Sequence, residues 1–479
     1  MKAISFPFSS LSESPPFEGG TIHRFLSFFI GFSPFLSIAA TNFFFFAFIL
    51  VLAADLFRRK TSLRFHRTPF DFVLLTYLFV WGVASLNGLS PMGSLAKGSS
   101  FQYPFIFYMF LFSYQGKLIP WAVFGLGCGA GVNVVYGWGQ FVLWHWVYDI
   151  SSGVYPEWVM GLGEKWRTYI TLSPGQGRIH GAFHLMTYSE LLLPPFLLLG
   201  AMCLEKWKPL LLSAGFILTG AALIFAAERG PFFGALIGII LIYCFHPQRW
   251  RLFLPLVVLA FLFWFNPTLK SRLMGPSVPV VKNSIQPFTG GKNLQTDLTG
   301  EGGVRERADR LFKNQACNIK NNHRVILWRG GLYIAARHWL LGVGPGQIGK
   351  ATDLYREKDD FPSNPEGQER DLHSFYIQSL VEMGLLGLMV SLWMMIVFYK
   401  VGRTFYRTCQ TLPRNLASVD HDSFRALSLG IWGTFLAYGI INLTERAFDD
   451  AEVSIVFWIL AATAVWFTRQ VLKMKERGS

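Results

Sequence analysis

The sequence predicts an all-α polytopic membrane protein with about twelve transmembrane helices and one large extracytoplasmic loop. Three observations predict it. Hydrophobic residues make up 52% of the chain, charged residues only 15%, and the mean hydropathy is +0.36. A soluble domain carries about 25% charged residues, so this chain has too little polar surface to coat itself in water. Apolar runs of spanning length recur along it, and its basic residues fall in clusters at alternate ends of those runs.

Residues 1–24 are rich in Ser, Pro and Gly, close on His23 and Arg24, and read as a cytoplasmic tail. No cleavable signal is evident, so the first apolar run reads as a signal anchor. Apolar runs then lie near 25–40, 41–57, 70–88, 101–115, 118–142, 187–204, 208–227, 231–246 and 251–266. These are about nine helices in an N-terminal membrane region, 25–266. Only Thr41 and Asn42 separate the first two, which read either as a tight hairpin or as one long run. Three further runs, at 373–399, 426–443 and 452–469, form a C-terminal membrane region, 373–469, before a tail at 470–479.

Orientation follows from the basic residues. Arg58, Arg59, Lys60, Arg64 and Arg67 follow the second run, Lys117 the fourth, Lys206 and Lys208 the sixth, and Arg249 and Arg251 the eighth. Lys400, Arg403 and Arg407 follow the tenth, and Arg469 and Lys473 the last. With twelve alternating helices all of these lie on one side, which places both termini in the cytoplasm. This also accounts for much of the net charge of +14. Basic residues scattered through short loops do not make a nucleic-acid surface; membrane lipids are the expected surroundings.

Two segments on the opposite side are long. The larger, 267–372, is the one stretch big enough for an extramembrane subdomain. Its part 276–303 is rich in Pro, Gly, Asn and Thr and reads as irregular chain. Near 323–340, Val325, Trp328, Leu332, Ala335 and Trp339 recur at helical spacing, which predicts an amphipathic helix along the membrane surface. "GVGPGQIG" (342–349) ends it. That segment lacks a Walker lysine–serine ending and a preceding strand, so nucleotide binding is set aside. Among the five cysteines no CxxC pair occurs, and only Cys317 faces the oxidising side, so no intramolecular disulfide is expected.

Four residues are candidates for chemistry. His373 stands where the long loop meets the tenth run, and a neutral imidazole there suits proton abstraction from a hydroxyl. An interfacial histidine bonded to a headgroup or to backbone is the plainer reading. Arg229 lies in "AAERGPF", between two apolar runs with almost no loop. A charge there needs a partner or a wet cavity, and a salt bridge to Glu228 is the structural alternative. Arg324 opens the amphipathic helix; a guanidinium fork matches a diphosphate, and attraction to anionic lipid is its competitor. Arg178 stands with His180 and His184 just outside the sixth run. Those histidines are four apart but lack an H-E-x-x-H context, so no metal site is expected. "NLTERAFDD" (442–450) carries Glu445, Arg446, Asp449 and Asp450 and reads as a turn that pairs internally. Arg229, Arg324 and His373 reach one membrane face, which suits a ligand with a lipid tail, a diphosphate and a sugar.

Over about Leu210 to Phe467 the chain resembles the O-antigen ligase family of bacterial inner-membrane proteins, which is related to the O-antigen polymerases. "ERG" (228–230) is similar to a Ser-Arg-Gly-like position of that family. "RVILWRGGLYIAARHWLLGVGPGQI" resembles its R-x-x-x-W followed by P-L-x-G-x-G-x-G, and "LHSFYIQSLVEMGLLGL" its H-N-x-Y/F-L-x-x-x-x-E-x-G-x-x-G signature. Ser374 stands where the family usually has Asn, and His338–Trp339 replaces a common His-Pro. The resemblance implies a GT-C-like glycosyltransferase that uses no metal or other cofactor. It would move a glycan from an undecaprenyl-diphosphate carrier to a sugar hydroxyl of lipid A–core, at the periplasmic face. In that reading His373 is the general base, and Arg229 and Arg324, with Arg178 assisting, bind the diphosphate. A polymerase using the same donor is the near alternative. A transporter of lipid-linked glycan is the alternative from another class, and it would place charges in mid-helix rather than at helix ends.

Overall fold

The computed structural model describes residues 20–58, 66–113, 116–143, 179, 185–204, 209–246, 248–266, 323–356, 371–411 and 421–478. Arg178, His180, His184, Cys317 and the irregular stretch 276–303 lie outside them. The described residues form helices and no strand. In chain order these are α1 (Thr21–Phe32), α2 (Ile38–Phe57), α3 (Asp71–Asn87), α4 (Pro91–Leu95), α5 (Gln102–Phe112), α6 (Ile119–Val142), α7 (Leu185–Met202) and α8 (Pro209–Ala226). Then follow α9 (Arg229–Phe245), α10 (Phe253–Phe265), α11 (His323–Arg337), α12 (Ile348–Tyr355), α13 (Phe375–Gln410), α14 (His421–Ile441) and α15 (Ala451–Gly478).

Five helices, α2, α6, α13, α14 and α15, are long and apolar enough to cross a membrane, and α3, α7, α8 and α9 are shorter apolar helices. The runs near 25–40, 101–115 and 251–266 form only α1, α5 and α10, of 12, 11 and 13 residues. Each adjoins a 3-10 segment, at Ser33–Phe35, Ala96–Phe101 and Arg249–Leu252. The first two runs are separate helices, and the join is not at Thr41 and Asn42, which lie inside α2. Pro34 in the 3-10 turn cannot continue an α-helix, and Ser37 restarts the chain by accepting a hydrogen bond from the Ala39 N–H at 3.2 Å.

Three threonines inside the apolar helices hide their hydroxyls on their own backbone. Thr219, Thr434 and Thr463 donate to the carbonyls of Gly215, Gly430 and Ile459 at 2.8, 2.9 and 2.7 Å. Where helices touch most closely, glycine is the reason. A β-carbon built on Gly31 would lie 2.0 Å from the Ala122 carbonyl oxygen, and one on Gly125 would lie 2.0 Å from that of Phe28. α1 and α6 therefore meet backbone to backbone. α15 is the central helix: its residues 452–464 are buried on every side, and Trp458 packs between the rings of Phe70, Phe107 and Phe398.

The basic residues gather at one end of the bundle. Arg469 donates to the Arg67 carbonyl at 2.8 Å, Arg251 to that of Leu204 at 2.9 Å, and His23 pairs with Asp55 at 2.6 Å. At the other end α13 is broken. Gly384 adopts φ 68° and ψ −164°, a region open in practice to glycine alone. The break frees backbone groups, and the segment after α11 takes them up. Val343 and Gly344 donate to the carbonyls of Val381 and Glu382 at 2.9 Å each, and the Leu385 N–H donates to the Trp339 carbonyl at 2.7 Å. "GVGPG" is thus a plug in a broken helix.

α11 occupies His323–Arg337 of the segment read as an amphipathic helix near 323–340. Leu327, Ile334 and Ala335 are buried, while Leu332 and Trp339 stand outward. The stripe read from the sequence is thus split: its Ala335 and Trp328 pack, Trp328 donating to the Leu372 carbonyl at 2.8 Å, and Gly331 lets α11 approach Leu372 on α13's side. α12 follows the plug, and Ile348, Ala351 and Tyr355 bury its inner side.

Candidate functional site

The site is built on the turn 442–450. Asn442 ends α14 and closes the turn, its side-chain oxygen accepting from the Phe448 N–H at 3.2 Å. The carbonyls of Asn442 and Glu445 both accept from the Phe375 N–H, at 3.0 Å each, so the first residue of α13 is pinned to the turn. Ser374 caps α13 from the other side by accepting from Ile377. His373 precedes this cap. Its backbone is left-handed, φ 49°, and its N–H donates to Asp371 Oδ1 at 2.8 Å. The other Asp371 oxygen accepts from Arg446 at 3.0 Å, and Arg446 also binds Asp449 through two nitrogens at 3.0 and 2.8 Å. Asp449, Asp371 and Glu382 hold the Arg446 guanidinium charged against the opposing effect of its burial.

Arg324 reaches the same turn from α11. It donates to the Thr444 carbonyl at 2.7 Å and pairs with Glu445 at 2.8 Å. Glu445 is buried, its side chain 2% exposed, whereas that of Arg324 is 27% exposed. Burial pushes the Glu445 carboxyl up to about 7; Arg324 opposes this and Glu228 and Asp371 add to it. Arg229 begins α9 beside the same carboxylate: a β-carbon on the next residue, Gly230, would lie 2.8 Å from Glu445 Cγ. The Arg229 side chain is exposed and that of Glu228 buried. Asp450 accepts from Thr187 at 3.0 Å and is pushed up chiefly by burial.

The structure therefore brings together three of the four residues read from the sequence. Arg324 binds Thr444 and Glu445 directly, Arg229 precedes Gly230, which packs on the same two residues, and His373 adjoins them through Phe375 and Asp371. The fourth, Arg178, is outside the described residues. The turn 442–450 does more than pair internally: Arg446–Asp449 is internal, but Glu445 and Arg446 pair outward with Arg324 and Asp371. Asp371 was not anticipated; its signal was an aspartate two residues before the histidine, the spacing of a side-chain-to-backbone turn. Among the described residues no group of three or more His, Cys, Asp or Glu side chains is arranged to hold a metal ion. What remains is two arginines beside one turn, a buried carboxyl pushed up to about 7 and a histidine on a fixed backbone.

Fold and site together define a multi-pass membrane protein whose charged groups converge at one end of its helices. Residues 214–392, from α8 into α13, match the family model described as O-antigen ligase. Over that segment the chain is similar to the O-antigen ligase family. No curated protein matches it.

Proposed function

We propose that the chain is a glycosyltransferase of O-antigen ligase type. It takes a glycan from an undecaprenyl-diphosphate carrier and joins it to a sugar hydroxyl of lipid A–core at the periplasmic face of the inner membrane. The observation that supports this is the convergence of Arg229, Arg324 and His373 on one turn, inside or beside the segment that matches the family. Two guanidiniums suit a diphosphate, and diphosphate is a good leaving group, so the reaction needs a base and positive charge. His373 takes the proton of the acceptor hydroxyl. The freed oxygen attacks the anomeric carbon, and the bond from that carbon to the diphosphate oxygen breaks with its electron pair. Arg229 and Arg324, with Arg178, hold the charge that leaves. Displacement of this kind inverts the anomeric configuration.

The test is a deletion strain complemented with wild type, His373→Ala or Arg324→Ala, each checked for its level in the membrane. Loss of polymer on lipid A–core, with long carrier-linked polymer accumulating, supports the reading. Single repeats that never lengthen identify a polymerase. Variants that behave as wild type remove the proposed site.

A further inference from the structure

The turn 442–450 has a second side. Arg324 and Arg229 lie against Thr444 and Glu445, whereas Arg446 and Asp449 are within electrostatic reach of Tyr77 on α3, as is Glu382 on α13. The outward face of α3 is purely apolar, with Phe72 and Phe79 each 70% exposed and Leu75 64%. Tyr77 and Trp81, four residues apart, share a different, half-buried face. An aromatic belt of the membrane interface would occupy the exposed face instead. Trp81 lies over Gly98, where a β-carbon would come 3.1 Å from its ring.

Polar groups converge beside these rings. The Glu382 carboxylate accepts from the Gly346 N–H and from Gln378, and Gln378 in turn accepts from the Leu372 N–H at 3.2 Å. That chain of bonds ends one residue from His373. Gly346, at φ 71°, brings the loop against Lys97, and Gln347 lies beside Ser94 and Gly93. Gln347 Oε1 and Ser94 Oγ have no hydrogen-bond partner, although their residues are 3% and 0% exposed. Buried polar atoms are normally satisfied, and orphans next to a cluster of donors and acceptors point to a polar ligand.

We infer that Tyr77, Trp81, Gln347, Glu382 and the Arg446–Asp449 pair form a saccharide subsite, separate from the diphosphate side of the turn. A sugar ring has an apolar C–H face, which packs on an aromatic ring, and a rim of hydroxyls that both donate and accept. Carboxylate, amide and guanidinium groups supply both complements. The inference rests on the glycosyltransferase reading and deepens it. The sugar belongs either to the donor glycan or to the acceptor core, and the chemistry of recognition is the same for both.

The experiment uses the full chain in lipid nanodiscs and two pairs of lipids. One pair is undecaprenyl diphosphate with and without its glycan; the other is lipid A with and without core sugars. In wild type the sugar-bearing member of at least one pair binds more tightly. Trp81→Ala, Tyr77→Phe and Glu382→Gln each reduce that advantage at least fivefold and leave the sugarless lipids within twofold of wild type. The pair that changes identifies donor or acceptor. An unchanged advantage overturns the subsite, as does an equal loss for sugarless lipids, which would mark the residues as structural. No advantage in wild type overturns it too. Arg324→Ala reports separately: if it leaves bare undecaprenyl diphosphate binding intact, the diphosphate assignment fails whatever the sugar arm shows.

Discussion

His373 is held in a conformation its side chain does not favour. A φ of 49° belongs to the left-handed region, which costs a residue with a β-carbon about 1–2 kcal/mol. The bonds from its N–H to Asp371 and from the Phe375 N–H to the turn sustain it. Glycine relieves the strain and loses somewhat more freedom on folding. His373→Gly is therefore expected to be more stable than His373→Ala by about 0.5–1 kcal/mol, while both abolish transfer. Thermal midpoints in one detergent compare the two; a glycine variant less stable than the alanine one would remove the strain argument.

Glu445 carries the second prediction at this scale. Burial pushes its carboxyl up to about 7 in the folded chain, against about 4.3 in an unfolded one. A raised carboxyl means that the folded protein keeps a proton the unfolded chain has released. Its contribution therefore makes stability fall as pH rises from about 4.3 toward 7, and is level outside that window. Glu445→Gln removes this slope. Unfolding midpoints of the two proteins, measured from pH 4.5 to 7.5, should diverge progressively with the variant gaining on wild type; parallel curves would show that the Glu445 charge is not what burial opposes.

Among the elements, the break in α13 decides the most. An unbroken helix of 36 residues would be about 54 Å long, well beyond a hydrocarbon core of about 30 Å. The break divides it into a short N-terminal piece, which carries the residues after His373, and a long apolar piece. Gly384 is needed twice over, for its conformation and because a β-carbon would sit 2.1 Å from the Leu340 carbonyl oxygen. Gly384→Ala should cost at least about 2 kcal/mol and lower the amount of protein in the membrane. Gly82, in mid-helix with nothing near its would-be β-carbon, is the control, and alanine there should be neutral or slightly stabilising. Equal behaviour of the two variants would mean that the plug does not hold the break.

For the whole molecule, the separation of charge is the organising feature. Basic residues gather at one end through contacts such as Arg469 to Arg67, and the acid-balanced arginines gather at the other. The positive-inside rule then predicts that the C-terminus is cytoplasmic and the turn 442–450 is not. A green fluorescent protein fused after Ser479 should fluoresce, and Leu443→Cys, an exposed position of that turn, in a chain with Cys317→Ser, should react with a membrane-impermeant maleimide added to intact spheroplasts. A dark fusion with an unreactive cysteine would invert the topology.

Much of this was open to reading from residues alone. Apolar runs, the grouping of Arg58, Arg67, Arg249 and Arg469, and the positions of Arg229, Arg324 and His373 at helix ends are one-dimensional features, because hydropathy and the penalty for a charge in lipid act locally. Helix α11 was legible for the same reason. Its buried face was legible only in part, since which side of a helix packs depends on the neighbour: Ala335 and Trp328 of the predicted stripe pack, while Leu332 and Trp339 stand outward. The break at Gly384, the plug made by "GVGPG", the bond from Arg324 to Thr444 across 120 residues and its pairing with Glu445 were decided only by tertiary structure. A buried carboxylate must find its cation in space, and sequence order does not say which helix ends will meet.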